Sequence, residues 1–301
     1  AENLLRDRSD RIAIVSRLEN GTRRTVSYLE LYKKVAACAE GLRNLGVTRG
    51  DRIAGFMPNI PETIVAMLAT SSIGAVWSSC SPDFGINGVM DRFGQITPKV
   101  LFACDGYFYN GKTLNSLPKL KEICGRIESI EQLVLVPVTN QNILITEIPN
   151  TTLFDDFSTN HFVSELCFEQ LPFDHPLYIM YSSGTTGVPK CIVHSAGGSL
   201  IQHLKEHQLH TNLKPEDVLF FFTTCGWMMW NWLVTGLASK ATLVLYDGSP
   251  FYPQPESLID IAEREAISIF GVSAKYIAAL KKSGARFTQT HDLKGLHTIL
   301  S

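Results

Sequence analysis

The chain has 301 residues, 45% apolar and 19% charged, with 27 basic against 29 acidic side chains and a formal net charge of -2 at pH 7. So even a balance excludes a polycationic binder of nucleic acid or membrane surfaces, and 22 Gly with 14 Pro exclude collagen-like or disordered composition. The longest apolar stretch, 64–77, is interrupted by Thr70, Ser71, Ser72 and Gly74, short of the roughly 18 residues a bilayer demands.

Taken in chain order, residues 11–16 and 24–26 read as a hairpin around Glu19-Asn20-Gly21, since Asn-Gly tolerates positive φ in a tight turn. Ser27 and Glu30 have the spacing of a capping box, in which two side chains satisfy free N–H groups at a helix start. Leu31, Val35, Cys38 and Leu42 then recur at helical period as far as Gly46. A strand over 53–57 leads to a helix opened by Pro61, where the missing N–H costs little. Strands follow at 76–77, 100–103 and 133–136, with helices at 87–95 and 117–125.

The segment 137–172 is irregular, rich in Thr, Asn, Asp and Phe, and marks a boundary between subdomains 1–172 and 173–301. Beyond it the spacing predicts strands at 178–181, 192–194, 218–222, 242–246, 267–270 and 296–300. Helices are expected at 198–210, 229–239, 256–265 and 274–282. Alternating strand and helix with near-continuous apolar strands predicts an α/β protein with mostly parallel sheets flanked by helices.

Seven cysteines (Cys38, Cys80, Cys104, Cys124, Cys167, Cys191, Cys225) are scattered, with no Cys-x-x-Cys pair. That spacing fits neither a disulfide framework nor structural zinc, and points, for most of them, to small buried residues in a reducing, cytoplasmic setting. The first residues lack the layout of a signal peptide, there is no initiator Met, and 296–301 read as a strand with no turn after it. The expectation is a piece of a longer protein.

One segment carries chemistry: Tyr181-Ser-Ser-Gly-Thr-Thr-Gly-Val-Pro-Lys190, between an apolar strand and another that begins at Cys191. Two glycines allow the backbone to approach an anion closely, four hydroxyls add donors, and Lys190 supplies a point charge for phosphate. A P-loop would need glycine at Pro189 and a helix directly after, so this loop is of another kind. A plain polar turn is the plainer reading of such composition.

The whole string, however, resembles the phosphate-binding signature of the adenylate-forming superfamily of acyl-CoA synthetases, luciferases and peptide-synthetase adenylation domains. Ser183 to Gly187, Pro189 and Lys190 all fit. The stretches 49–59 and 74–82 resemble the family's large N-terminal lobe. Three further segments, 81–93, 198–207 and 226–232, resemble the acetoacetyl-CoA synthetase branch.

The resemblance implies the N-terminal lobe of an acid–thiol ligase, in two subdomains, its small C-terminal domain a partner from the same parent chain. It implies acetoacetate, ATP with Mg²⁺, and coenzyme A as substrates and cofactors, with acetate or propionate as alternative acids. No nucleic-acid partner and no stable membrane insertion are expected. Thr185, Thr186 and Lys190 would be catalytic, and Ser182, Ser183, Gly184 and Gly187 would complete the phosphate cradle. Trp227, Met228, Met229 and Trp230 would line the acyl pocket, although Trp and Met together are commonly core residues. Lys112, beside Gly111, would meet the coenzyme A nucleotide, with Tyr109 standing where relatives have arginine. The adenine, ribose and catalytic-lysine sites would lie beyond Ser301, and the 301 residues alone are expected not to turn over.

Two features of the sequence compete with this reading. His203-Leu-Lys-Glu206-His207 matches an inverted zinc-peptidase pattern, with His210 one turn on. No third ligand follows convincingly, and the histidines read as a polar helix flank beside Leu200, Ile201 and Leu204. Cys225 beside Gly226 could suggest a nucleophile, but no base is placed near it in sequence.

Overall fold

The computed structural model describes residues 1–140, 148–159, 165–182 and 187–301. Its elements run β1 (Ile12–Leu18), β2 (Arg23–Ser27), α1 (Tyr28–Asn44), β3 (Arg52–Phe56), α2 (Pro61–Ser72), β4 (Val76–Cys80), α3 (Ile86–Ile96) and β5 (Val100–Cys104). Next come β6 (Gly106–Tyr109), β7 (Lys112–Asn115), α4 (Leu117–Arg126), β8 (Gln132–Val136), β9 (Thr151–Leu153) and α5 (Phe154–Thr159). The remainder is β10 (Pro176–Ser182), β11 (Lys190–Ser195), α6 (Ala196–Lys205), β12 (Val218–Phe221), α7 (Met228–Thr235) and β13 (Thr242–Asp247). It closes with α8 (Ser257–Arg264), β14 (Ile269–Gly271), α9 (Ala274–Ser283), α10 (Phe287–Thr290) and β15 (Thr298–Leu300).

Two large sheets result. One has the order β15-β14-β12-β13-β1-β2, the other β11-β10-β4-β3-β5-β8-β9. Pairing within them is parallel except for the hairpins β1–β2 and β10–β11. Both sheets draw strands from each side of residue 172: β1 and β2 join β12 to β15, while β10 and β11 join β3, β4, β5, β8 and β9.

Strand periodicity builds the layers. Along β5, Val100 and Phe102 face a central core, while Leu101 and Ala103 face an outer one formed with Val89 and Phe93 of α3 and Leu120 and Ile123 of α4. Along β13, Leu243 and Leu245 face the same central core, and Val244 turns outward to Leu258 and Ile259 of α8. The helices α1, α2 and α7 fill the space between the sheets, giving helix, sheet, helix, sheet, helix. That position explains α2, in which every residue except Glu62 is buried. Each large apolar side chain so buried contributes about 1.5–3 kcal/mol.

The capping box is present: Ser27 Oγ accepts from Glu30 N–H at 3.1 Å, and Glu30 Oε2 accepts from Ser27 N–H at 2.8 Å. In the first hairpin only Gly21 has positive φ (+90°), because the connection spans four residues rather than two. The two-residue turn with left-handed backbone at both positions occurs elsewhere. Asn110 (φ +52°) and Gly111 (φ +76°) join β6 to β7, a hairpin the sequence reading passed over, as it did β9 and α5.

Candidate functional site

The parallel strands β3, β4, β5 and β8 end together, and β10 runs with them, so Ser182 lies at their C-terminal edge. Ligands of open α/β sheets gather at such edges. The second sheet meets the first there, through Asn59 just past β3. Its backbone N–H donates to Asp247 Oδ2 at 2.7 Å, and its Nδ2 lies 3.4 Å from the carbonyl oxygens of Thr223 and Tyr246. Ser79 Oγ donates to Cys225 O at 2.7 Å, joining β4 to the segment before α7.

The signature spans the end of β10 and the start of β11, with Ser182 in register with Lys190. Ser183, Gly184, Thr185 and Thr186 lie outside the described residues. Gly187 is exposed with φ +90°, a conformation glycine adopts without strain, and Lys190 is exposed at the start of β11. Helix α3 braces this hairpin: Gln95 Nε2 donates to Pro189 O at 2.9 Å. The Arg92 guanidinium lies 5.6 Å from the ring centre of Tyr181 and 4.7 Å from that of Phe84. Tyr181 OH is 2.9 Å from Ser78 Oγ, which itself donates to Ile179 O. Gln95 and Arg92 escaped sequence reasoning because nothing in a helical pattern says which turn faces a loop ninety residues away.

The four residues proposed for acyl recognition divide at the start of α7. Trp227 is 63% exposed and Met228 45% exposed, while Met229 is half-buried against the core. Trp230 is completely buried, and its Nε1–H donates to Asn59 Oδ1 at 2.9 Å. Trp230 therefore packs beneath the site and presents no surface to a ligand.

Lys112 is exposed at the start of β7, opposite the exposed Tyr109. The amides of the turn between them are already engaged. Asn110 and Gly111 N–H donate to the Glu19 carboxylate at 2.8 and 2.7 Å, and Ser249 N–H adds a third bond at 2.6 Å. A side chain on Gly111 would strike the Tyr252 ring at 2.8 Å.

Asp247, desolvated by the surrounding protein and faced by the charges of Asp83 and Glu19, has its carboxyl pushed up to about 6 against the pull of the Asn59 hydrogen bond. Cys225 is fully buried with Sγ directed at Pro58 O, and burial pushes its thiol well up, so it is no nucleophile.

The histidines are not a polar flank, His203 lying in α6 and His207 in the π-helical turn Glu206–His210 that follows it. His203 and His207 are buried, and Ile201 of the expected apolar face is 60% exposed. Burial is tolerated because α7 supplies partners. His203 Nδ1 lies 2.9 Å from Thr235 Oγ1, and His207 Nε2 lies 2.8 Å from Trp232 O with its ring 4.1 Å from the Trp232 ring. Desolvation depresses both to about 4. Among the described residues no cluster of three or more His, Cys, Asp or Glu is placed to hold a metal.

A cavity of about 370 Å³ lies at the end of β10 away from Ser182. Its lining, including Leu68, Phe173, Tyr178, Ser199 and Thr235, contains no Lys or Arg to balance a phosphate.

Ser182 at the C-terminal edge of a parallel sheet and the exposed Lys190 at the start of the next strand bracket the hydroxyl- and glycine-rich segment of an α/β protein built on mostly parallel sheets. Residues 2–301 match the AMP-binding enzyme family, and the chain belongs to it. The acetoacetyl-CoA synthetase of Mus musculus is 50% identical over 308 aligned residues, covering all of this chain and 46% of that protein. The malonamoyl-CoA synthetase of Penicillium aethiopicum is 41% identical, covering 94% of this chain and 42% of its own length. The solved acetoacetyl-CoA synthetase of Streptomyces lividans superposes with a TM-score of 0.94 at 42% identity, over 99% of this chain and 46% of that one. The chain thus spans about half the length of the relatives it matches. Among the described residues no helix is long and apolar enough to cross a membrane.

Proposed function

We propose that the chain supplies the N-terminal-lobe portion of an AMP-forming acid–thiol ligase, in the cytosol, that converts acetoacetate, ATP and coenzyme A to acetoacetyl-CoA, AMP and pyrophosphate. One observation carries the reading: Ser182, within the signature, lies at the C-terminal edge of the sheet where Ser79 bonds Cys225 just before the exposed Trp227 and Met228, in a chain 50% identical to the matching 46% of the acetoacetyl-CoA synthetase of Mus musculus.

In the first step a substrate carboxylate oxygen attacks the α-phosphorus of ATP, and pyrophosphate leaves to give an acyl-adenylate. In the second, the thiol of coenzyme A attacks the acyl carbon and AMP leaves. Charge spreads over phosphoryl oxygens in the first step, so positioning and electrostatic stabilisation dominate. Lys190 and the donors from Ser182 to Gly187, Thr185 and Thr186 among them, would hold the β- and γ-phosphates. The exposed Lys190 ammonium and the left-handed Gly187 fit such an anion. Mg²⁺ would arrive with the triphosphate, since it is held in large part by phosphate oxygens. Trp227, Met228 and Met229 would bound the acyl chain, with Trp230 fixing the helix from below. Lys112 would attract the coenzyme A nucleotide. The second half of a protein of the relatives' length would complete the site.

The test is acid-dependent ATP–pyrophosphate exchange by the full-length protein with acetoacetate, acetate, propionate and butyrate. Acetoacetate should support the fastest exchange, and Lys190→Ala with Thr186→Ala should reduce it by about a hundredfold or more. A preference for acetate or propionate would discard the substrate and keep the reaction. No exchange with any acid would discard the reaction.

A further inference from the structure

Helix α7 carries its acyl-site residues on its first turn, and one polar side chain lies a turn further along the same face. Asn231 is four residues beyond Trp227 and three beyond Met228, the spacings at which helical side chains stand one above another. It is 3% exposed, and its neighbours Trp230 and Trp232 are core residues. Its Nδ2 makes only a weak contact, 3.3 Å from Met180 Sδ. Its Oδ1 is buried and accepts no hydrogen bond from any described residue.

A buried amide oxygen without a partner is costly, and native proteins keep few of them. Leucine has nearly the same size and would carry no such cost at this position. Asn231 also lines a small space of about 10 Å³, bounded by Ser78, Ser79, Met180, Cys225 and Gly226. That is room for one water-sized group. The space therefore reaches Gly226, the residue directly before the exposed Trp227. A Cβ built on Gly226 would come no nearer than 3.7 Å to Cys80 and Ser81, so the backbone leaves this corner open.

We infer that Asn231 determines acyl specificity: its free carboxamide end, in the small space beside Gly226, recognises a second, uncharged oxygen on the acyl chain. A ketone oxygen accepts hydrogen bonds and donates none. The carboxamide meets that requirement in either orientation. Rotated half a turn, it offers Nδ2–H to the acyl oxygen directly. As it stands, Oδ1 takes one hydrogen of a bridging water whose second hydrogen goes to the acyl oxygen. Acetoacetyl and malonamoyl groups, the acyl groups named for two relatives, both carry a carbonyl oxygen at the same distance from the activated carboxylate. The inference rests on the acid–thiol ligase reading above and deepens it.

The experiment is ATP–pyrophosphate exchange by the full-length protein with acetoacetate and with butyrate, which has the same carbon chain and lacks the second oxygen. Wild type is compared with Asn231→Leu and Asn231→Ala. The wild-type preference for acetoacetate, as a ratio of kcat/KM values, should fall about tenfold or more in Asn231→Leu, because a site that pairs a polar group discriminates sharply against the analogue lacking it. A ratio that stays within threefold of wild type overturns the inference and leaves the functional reading standing. Should Asn231→Leu fail to fold, Asn231→Ala, which removes both the amide oxygen and the N–H donor, decides by the same ratio. Wild-type exchange with neither acid overturns the functional reading, and the inference with it.

Discussion

The indole N–H of Trp230 donates to Oδ1 of Asn59 across 2.9 Å, with both side chains buried. Through this bond the first turn of α7 is fixed to the connection after β3, and Asn59 in turn holds Asp247 at the end of β13. One residue, through its backbone N–H and its side chain, thus ties together both sheet edges and the helix that presents Trp227 and Met228.

Trp230→Phe should accordingly destabilise the fold by about 2 kcal/mol, since it removes one hydrogen bond, leaves Asn59 Oδ1 unpaired and opens a small cavity. Trp227→Ala, at an exposed position, should change stability by less than about 0.5 kcal/mol while altering the acyl KM of the full-length protein. Urea unfolding of both variants distinguishes the two tryptophans. Equal losses would contradict the division of labour between them.

His203 and His207 make the fold sensitive to acid. Each is held neutral in the folded state, at about 4 against an ordinary 6.5, so between those values the unfolded chain binds protons that the folded chain refuses. Stability should therefore rise with pH from 4 to 6.5 and level off above. Each histidine should account for about 1–2 kcal/mol between pH 5 and pH 7.5. Unfolding free energies for wild type and His203→Gln/His207→Gln across that range test this. The variant should show the flatter profile.

Asp247 has the opposite sign. Its folded carboxyl is raised to about 6 from 3.8, so the folded state binds the extra proton between those values and stability from this group falls as pH rises through them. Asp247→Asn should leave stability nearly unchanged at pH 4 and raise it by about 1–2 kcal/mol at pH 8, where the wild-type carboxylate is charged. A gain equal at both pH values would point to packing instead of charge.

Glu19 gathers three backbone N–H groups from two separate loops. Glu19→Ala should cost about 1–2 kcal/mol. It should also speed amide hydrogen exchange at Asn110, Gly111 and Ser249, with little change at the β1–β13 ladder. Gly111→Ala should be at least as damaging, from positive φ and the Tyr252 contact together. Unchanged exchange at Asn110 in Glu19→Ala would show that the hairpin holds itself.

Local chemistry was legible in the sequence wherever it acts over a few residues. The Ser27–Glu30 cap, Pro61 at a helix start and the parallel strands were all read directly, because capping and period depend on near neighbours. What the tertiary structure decided is which side of each element is covered. The pattern around His203 and His207 suggested a polar flank, yet α7 arrives with Thr235 and Trp232 O to receive them, and the same helix buries Trp230 while exposing Trp227. Gly111 was noted for its loop, but not that Glu19, ninety-two residues earlier, would take its amide. A hydrogen bond or a buried face needs a partner, and the partner's position is set by the packing of both sheets, which no local window of sequence contains.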